Sequence, residues 1–181
     1  YWRAWVNKND TDHSTLPAKI TEQLKRSLLM VHTQIDNDGA ILAANDWDVT
    51  LRATDHYSYL WTRDGAFIAN ALDLAGYSHI TRKFFDFCGR IVHPNGYFLQ
   101  KYNSDGTVAS GWHASWDVQS GTPIVPIQED ETALVLWALW EHYDRYRDIE
   151  FAHRLYRRLT IPCADFMTGF VHEELRLPKP S

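Results

Sequence analysis

Trp61-Thr62-Arg63-Asp64-Gly65, with Tyr57 and Tyr59 just upstream, gathers the side chains that a buried sugar ring needs. An indole can stack on the C–H face of the ring, while an Arg-Asp pair grips adjacent hydroxyls with a donor fork and an acceptor carboxylate. Thr62 suits an N-cap and Gly76 a C′ position, so a helix should run from 62 to about 75, with Arg63 and Asp64 in its first turn at a cavity mouth. The same residues also fit a plainer role, in which a first-turn aspartate complements the helix dipole and Trp61 is core. Spacing alone leaves the two readings open.

The elements around this segment read as helices joined by long loops. Thr15 and Pro17 signal a helix start, and Ile20, Leu24, Leu28, Val31 and Ile35 recur at helical spacing, which predicts a helix over about 16–35. Asn37-Asp38-Gly39 is turn chemistry, and an extended excursion is expected across 39–60. After the 62–75 helix, Ser78 should cap another, carrying Ile80, Phe84, Phe87, Cys88 and Ile91 until His93-Pro94-Asn95-Gly96 stops it; so tight a link makes the two antiparallel. Tyr97 to Tyr102 and Thr107 to Trp112, separated by Asn103-Ser104-Asp105-Gly106, read as a small hairpin or a long loop, which continues to Ile127. Loops this long in a compact domain usually carry function. Gln128-Glu129-Asp130-Glu131 opens a helix whose Leu134, Trp137, Ala138, Tyr143 and Tyr146 span nearly its whole circumference, as in a helix buried on two sides. A last helix from about Asp148 places Ala152, Leu155, Tyr156 and Leu159 on one face, and Pro162 should kink or split it before Phe166 and Phe170. The expected fold class is therefore all-α.

Composition narrows the partners. The 181 residues are 45% apolar and 23% charged, which is ordinary for one globular core or part of one. Eight Trp, nine Tyr and eight Phe make 14% aromatic, a bias toward large cores and carbohydrate sites. Eighteen basic against 23 acidic residues give a net charge of −5 without a basic block, so nucleic acid is not an expected partner. Thr132 to Trp140, the longest mainly apolar run, is about half of the roughly 20 residues that a membrane span requires, and no membrane partner is expected. The nine histidines show no metal-binding spacing, no phosphate-cradling glycine loop is present, and neither metal nor cofactor is expected. Cys88 and Cys163 read as separate buried thiols rather than a disulfide framework, which leans toward a reducing, cytoplasmic compartment. Tyr1-Trp2-Arg3-Ala4-Trp5 opens the chain without an initiator Met or a leader pattern. Residues 1–15 are expected to be a linker, and the whole to be excised from a longer protein.

Three segments in order, Tyr57 to Gly65, Gln100-Lys101-Tyr102-Asn103, and Pro126-Ile127-Gln128-Glu129-Asp130-Glu131-Thr132-Ala133-Leu134, closely resemble the prokaryotic branch of glycoside hydrolase family 15, the glucoamylases and their glucodextranase relatives. The resemblance covers 16–181. It implies a partial (α/α)6 barrel of antiparallel helical hairpins and an inverting exo-hydrolase releasing glucose from the non-reducing ends of α-glucans. Arg63 and Asp64 match the family pair that holds the terminal glucose, and Trp61 and Tyr57 match aromatic walls of that subsite. Lys101 matches a pocket-lining lysine, Trp112 and Trp116, with His113, fall on the loop where relatives place aromatics near the next glucose, and Gln128 and Asp130 align with a pocket segment. Ordinary loop packing and first-turn acids favourable without substrate remain the competing explanations for the last two groups.

Inverting hydrolysis needs two carboxyl groups roughly 6.5 to 9.5 Å apart, one protonating the leaving oxygen and one activating water. The resemblance implies that the acid is a Glu in a Trp-Glu-Glu segment expected just beyond Leu177-Pro178-Lys179-Pro180-Ser181, with the base further along. Glu173 and Glu174 precede that proline segment and read as a solvated helix end. Asp64 beside Arg63 should hold its proton weakly, the wrong direction for an acid. No catalytic residue is expected in this chain, which by itself should bind sugar poorly and hydrolyse nothing. Its expected partners are an α-glucan or oligosaccharide, the remainder of its own catalytic domain, and further copies of itself if made alone. A non-catalytic glucan-binding helical module and a helical scaffold with purely structural aromatics are the rival readings.

Overall fold

The computed structural model describes residues 1–8, 13–46, 56–109, 116–117, 121–123 and 126–179, without the side chains of 116, 117, 122, 123 and 129. The described residues form α1 (Trp2–Val6), α2 (Ala18–His32), α3 (Thr62–Leu74), α4 (Ser78–Ile91), β1 (Trp116–Asp117), β2 (Thr122–Pro123), α5 (Glu129–Tyr146), α6 (Ile149–Leu155), a π-helical turn over Tyr156–Thr160, and α7 (Ile161–Gly169). The fold is mostly helical, as expected. Among the described residues the one ladder is the antiparallel β1–β2 pair, with Trp116 opposite Pro123.

The α3–α4 hairpin is the part most directly written in the chain. Gly76 takes φ +85°, its N–H reaches Asp73 O at 2.9 Å, and the Tyr77 N–H reaches Leu72 O at 2.9 Å. This pair of bonds satisfies the last carbonyls of α3 and reverses the chain. The other capping expectations need correction. Thr62 lies inside α3, with Trp61 as N-cap, and Ser78 lies inside α4, with Tyr77 before it; neither Trp61 nor Tyr77 makes a side-chain cap. Tertiary partners take over that duty at α3, as shown below.

Alanines and glycine on one face of α3 let it approach its neighbours closely: Gly65, Ala66 and Ala69 are buried together with Leu72, against α5, which buries Val135 and Ala138, and against α4. A Cβ on Gly65 would stand 2.5 Å from the Phe84 ring, so α4 fills the space that glycine leaves. Phe84, Phe85, Phe87, Tyr77 and Phe98 are fully buried in this core, each contributing roughly 1.5–3 kcal/mol of burial. Both cysteines lie in it as free thiols, and burial pushes Cys163 up to about 12 and Cys88 well above its ordinary value.

Two expectations are revised. Residues 1–15 were expected to be a linker, yet Trp2–Val6 is helical and Trp5 stacks between His32 and Tyr77, with ring centroids 4.2 and 4.4 Å away. The first long helix is shorter than 16–35, ends at His32, and buries none of its residues fully; Ile35 instead bridges Ile41 across the Asn37-Asp38-Gly39 turn. Of the hairpin or long loop expected over 97–112, the described residues up to 109 carry a bridge between Tyr102 and Val108, and Tyr102 also pairs with Leu60, while 110–112 lie outside the described residues.

Pro162 divides the last helical stretch as its missing N–H requires, but the break is a π-turn rather than a loop. Gly96, at φ +85°, packs onto that junction: an added Cβ would lie 1.8 Å from Pro162 O. Gly96→Ala is therefore expected to cost about 2 kcal/mol or more, read as a lower urea midpoint with unchanged slope. A wild-type midpoint would show that the 93–96 turn does not constrain α7.

One face is left uncovered by the described residues. Trp140, Ile149 and Tyr156 are about half exposed and, with Leu136, Leu139 and Tyr143, line a cavity of about 700 Å³ between α5 and α6. No helix among the described residues is long and apolar enough to cross a membrane.

Candidate functional site

Backbone pairing first brings the three motif segments together. Ala43 and Ala44 N–H groups bond to Tyr59 O and Tyr57 O, and the Tyr57 N–H bonds to Asp46 Oδ1, so the 57–61 segment runs extended along 43–46. Leu60 and Tyr102 exchange both backbone bonds, at 2.8 and 2.9 Å, which sets Lys101 beside Tyr59 and Trp61. Gln100 N–H in turn bonds to Pro126 O at 2.9 Å, delivering the start of α5 to the same place.

On this frame Arg63 is the hub. Its guanidinium donates to Asp64 Oδ2 at 3.0 Å and to Gln128 Oε1 at 3.1 Å, and stands 3.6 Å from Asp130 Oδ2. Gln128 is the N-cap residue of α5, yet its side chain makes no cap and serves Arg63 instead. Burial works against the Arg63 charge, but Asp64, Glu131 and Asp130 outweigh it and hold its proton more tightly than usual. Arg63 is charged at every working pH. The Asp64 and Asp130 side chains remain 44% and 51% exposed, which leaves acceptor oxygens facing solvent.

Aromatic rings and one lysine form the adjoining wall. Tyr57 and Trp61 lie 5.8 Å apart at 32°, and Tyr59 meets Trp61 edge-on at 6.0 Å. The Lys101 ammonium lies 4.4 Å from the Tyr59 ring centroid and 5.6 Å from that of Trp61, with only 5% of the residue exposed. Tyr57 is 64% exposed and so rims the cluster.

Of the nine expected site residues, the structure thus gathers Tyr57, Trp61, Arg63, Asp64, Lys101, Gln128 and Asp130. Trp112 lies outside the described residues, and Trp116 is described only in its backbone, as part of β1. The cavity between α5 and α6 is lined by none of the nine. Among the described residues no group of three His, Cys, Asp or Glu side chains could hold a metal ion.

Glu131 is the residue that spacing did not single out. It is fully buried, and Oε2 accepts from the Thr62 hydroxyl and, at 2.8 Å, from the Arg63 backbone N–H. Oε1 is buried without a partner among the described residues. Burial pushes this carboxyl up to about 7 against the opposing pull of Thr62 and Arg63. The available signal was negative: Trp61 cannot cap α3, so the orphan N–H groups of its first turn needed an acceptor from elsewhere.

No protein-family model matches the chain. Over 162 residues it is 30% identical to an uncharacterized glycosyl hydrolase of Methanocaldococcus jannaschii, an alignment covering 88% of this chain and 23% of that protein. Its fold is similar to that of a solved wild-type glycosidase, with TM-score 0.63, 20% identity, and coverage of 92% of this chain and 46% of the other. A glycosidase in complex with glucose matches with TM-score 0.62 and 21% identity, over 88% of this chain and 43% of that one. The chain therefore spans less than half the length of these relatives, and it is related to glycosyl hydrolases.

Proposed function

We propose, from that relationship, that this chain is the N-terminal portion of a glucoamylase-like (α/α)6 catalytic domain of glycoside hydrolase family 15, an inverting exo-hydrolase of α-glucans. The observation that carries the proposal is that Arg63 meets Asp64 and Gln128 while Lys101 lies against Trp61, two residues before Arg63 in the chain, so that three separate segments meet around 61–64. Trp61 supplies a face for the C–H side of a glucose ring. Arg63 and Asp64, with Gln128 and Asp130 behind them, supply donors and acceptors for adjacent hydroxyls. Lys101, nearly buried against two rings, adds a positive charge in a low-dielectric wall, where its attraction for hydroxyl oxygens is strengthened.

The catalytic pair is assigned to later parts of the domain. Asp64 and Asp130 are committed to Arg63, and Glu131 is enclosed, so none stands ready to protonate a leaving oxygen. Further helices of the same domain are the proposed cover for Trp140, Ile149 and Tyr156, since apolar surface of that extent normally finds a partner.

The test is hydrolysis of maltooligosaccharides by the polypeptide extended through the expected Trp-Glu-Glu segment and base, with the released anomer followed by NMR. Inversion of an α bond gives β-glucose. Release of α-glucose, or no release, sinks the assignment. In the same protein Arg63→Ala or Asp64→Ala should lower kcat/KM on the order of 100-fold, as expected for losing charge-assisted contacts to substrate. Unchanged hydrolysis in both variants would return the motif to a structural role.

A second reading, a non-catalytic glucan-binding module, is favoured by the commitment of every carboxyl group in the cluster. Quenching of the tryptophan fluorescence of the 181-residue chain by maltose at millimolar concentration or below would support it, and silence would favour the incomplete catalytic site.

A further inference from the structure

We propose that Glu131 is a positioning residue for the sugar grip: its carboxyl group, delivered from α5, closes the N-terminus of α3 and fixes the backbone that carries Arg63 and Asp64. The inference rests on the reading of those two residues as the grip. Three observations support it. The N-cap position of α3 is an indole that accepts nothing, so the first-turn N–H of Arg63 has no local acceptor. Glu131 Oε2 fills that role from 68 residues away and also takes the Thr62 hydroxyl, holding two consecutive residues of the turn from one point.

The third observation is energetic. A carboxyl group with no exposed surface and one oxygen without a partner among the described residues is an unfavourable choice for stability alone, because its burial outweighs what two hydrogen bonds return. Glutamine would give the same reach, the same acceptor oxygen, and no charge to bury. What glutamate adds is charge directly under Arg63, where Glu131 strengthens the hold on the guanidinium proton alongside Asp64. The α5 start thus grips α3 at two levels. Gln128 and Asp130 hold the Arg63 side chain from outside, and Glu131 holds its backbone from inside.

The experiment compares Glu131→Ala, Glu131→Gln and Phe151→Ala, a core change on α6 remote from the cluster, by amide hydrogen exchange and by maltose titration of the protein. In Glu131→Ala the Arg63 amide should exchange at least about tenfold faster, the loss expected for one charged acceptor, and maltose binding should weaken by a similar factor. Glu131→Gln should restore exchange to within about threefold, because its carbonyl oxygen reproduces the acceptor, and maltose binding only in part, because the charge under Arg63 is gone. Wild-type exchange and binding in Glu131→Ala would overturn the proposal. So would equal losses in Phe151→Ala, which would reduce the effect to general destabilisation, or in Glu131→Gln, which would deny the role of the acceptor. If Glu131→Ala does not fold, Thr62→Val removes one of the two bonds alone and should give a smaller acceleration at Arg63; no change there would equally overturn the proposal. The exchange measurement does not depend on sugar. If the wild-type polypeptide extended through the expected catalytic pair does not respond to maltose, the grip reading fails separately, and exchange alone decides whether Glu131 fixes the turn.

Discussion

Glu131→Gln will become progressively more stable than the wild-type chain as pH rises from 5 to 8. Burial moves the Glu131 carboxyl from 4.5 to about 7, with Thr62 and Arg63 opposing the shift only in part. A raised folded value means that the folded state binds the extra proton between those limits, so stability falls as pH rises through them and levels off above the folded value. The difference corresponds to about 3 kcal/mol at most, and glutamine cannot contribute it. The groups facing Glu131 are Arg63 from α3, Asp130 on its own helix, and Tyr102 and Cys88, both of which burial pushes further from this range. Urea denaturation at pH 5, 6, 7 and 8 should show the two profiles diverging upward with pH. Parallel profiles would mean that Glu131 titrates as an ordinary carboxylate.

Asp73→Ala will destabilise the three-helix core by about 3 kcal/mol, in the range for breaking a buried charged or hydrogen-bonded pair. Asp73 on α3 meets His142 Nδ1 of α5 at 2.9 Å through one oxygen and the Thr81 hydroxyl of α4 through the other, all three residues being buried. Phe85, Tyr146 and Phe151 enclose the imidazole, with ring centroids 5.0 to 5.4 Å away. Removing Asp73 takes the 2.9 Å partner from His142 and one partner from Thr81, leaving the imidazole only the Thr81 hydroxyl, at 3.2 Å, inside an apolar cage. The double change Asp73→Leu with His142→Leu should recover much of the loss, because it removes both polar partners at once. A denaturation midpoint within about 0.5 kcal/mol of wild type for Asp73→Ala would show that water reaches this network.

Which parts of the molecule were readable follows from the range of the forces involved. The α3–α4 hairpin was legible because Gly76 needs only its own φ and bonds within five residues. The start of α5 at Glu129 was legible from its acidic first turn, and the division at Pro162 from a missing N–H. The pairing of Tyr102 was only half legible: its bridge to Val108 lies within one turn, whereas its bridge to Leu60 joins residues some forty positions apart. The α1 helix escaped notice because five residues carry little periodicity, and its place depends on Trp5 finding His32 and Tyr77.

For the candidate site, the chain by itself determined the chemistry: an indole, a guanidinium-carboxylate pair and a lysine in segments whose residue types suit a sugar, with Arg63 and Asp64 adjacent and sharing one helix turn. Only the tertiary structure decided that Gln128 and Asp130 stand behind Arg63, that Lys101 lies over Tyr59 and Trp61, and that Glu131 replaces the missing cap. The reason is physical. Adjacent residues are positioned by local dihedrals, whereas Glu131 and Arg63 meet only once α3 and α5 pack, and no local preference encodes that contact.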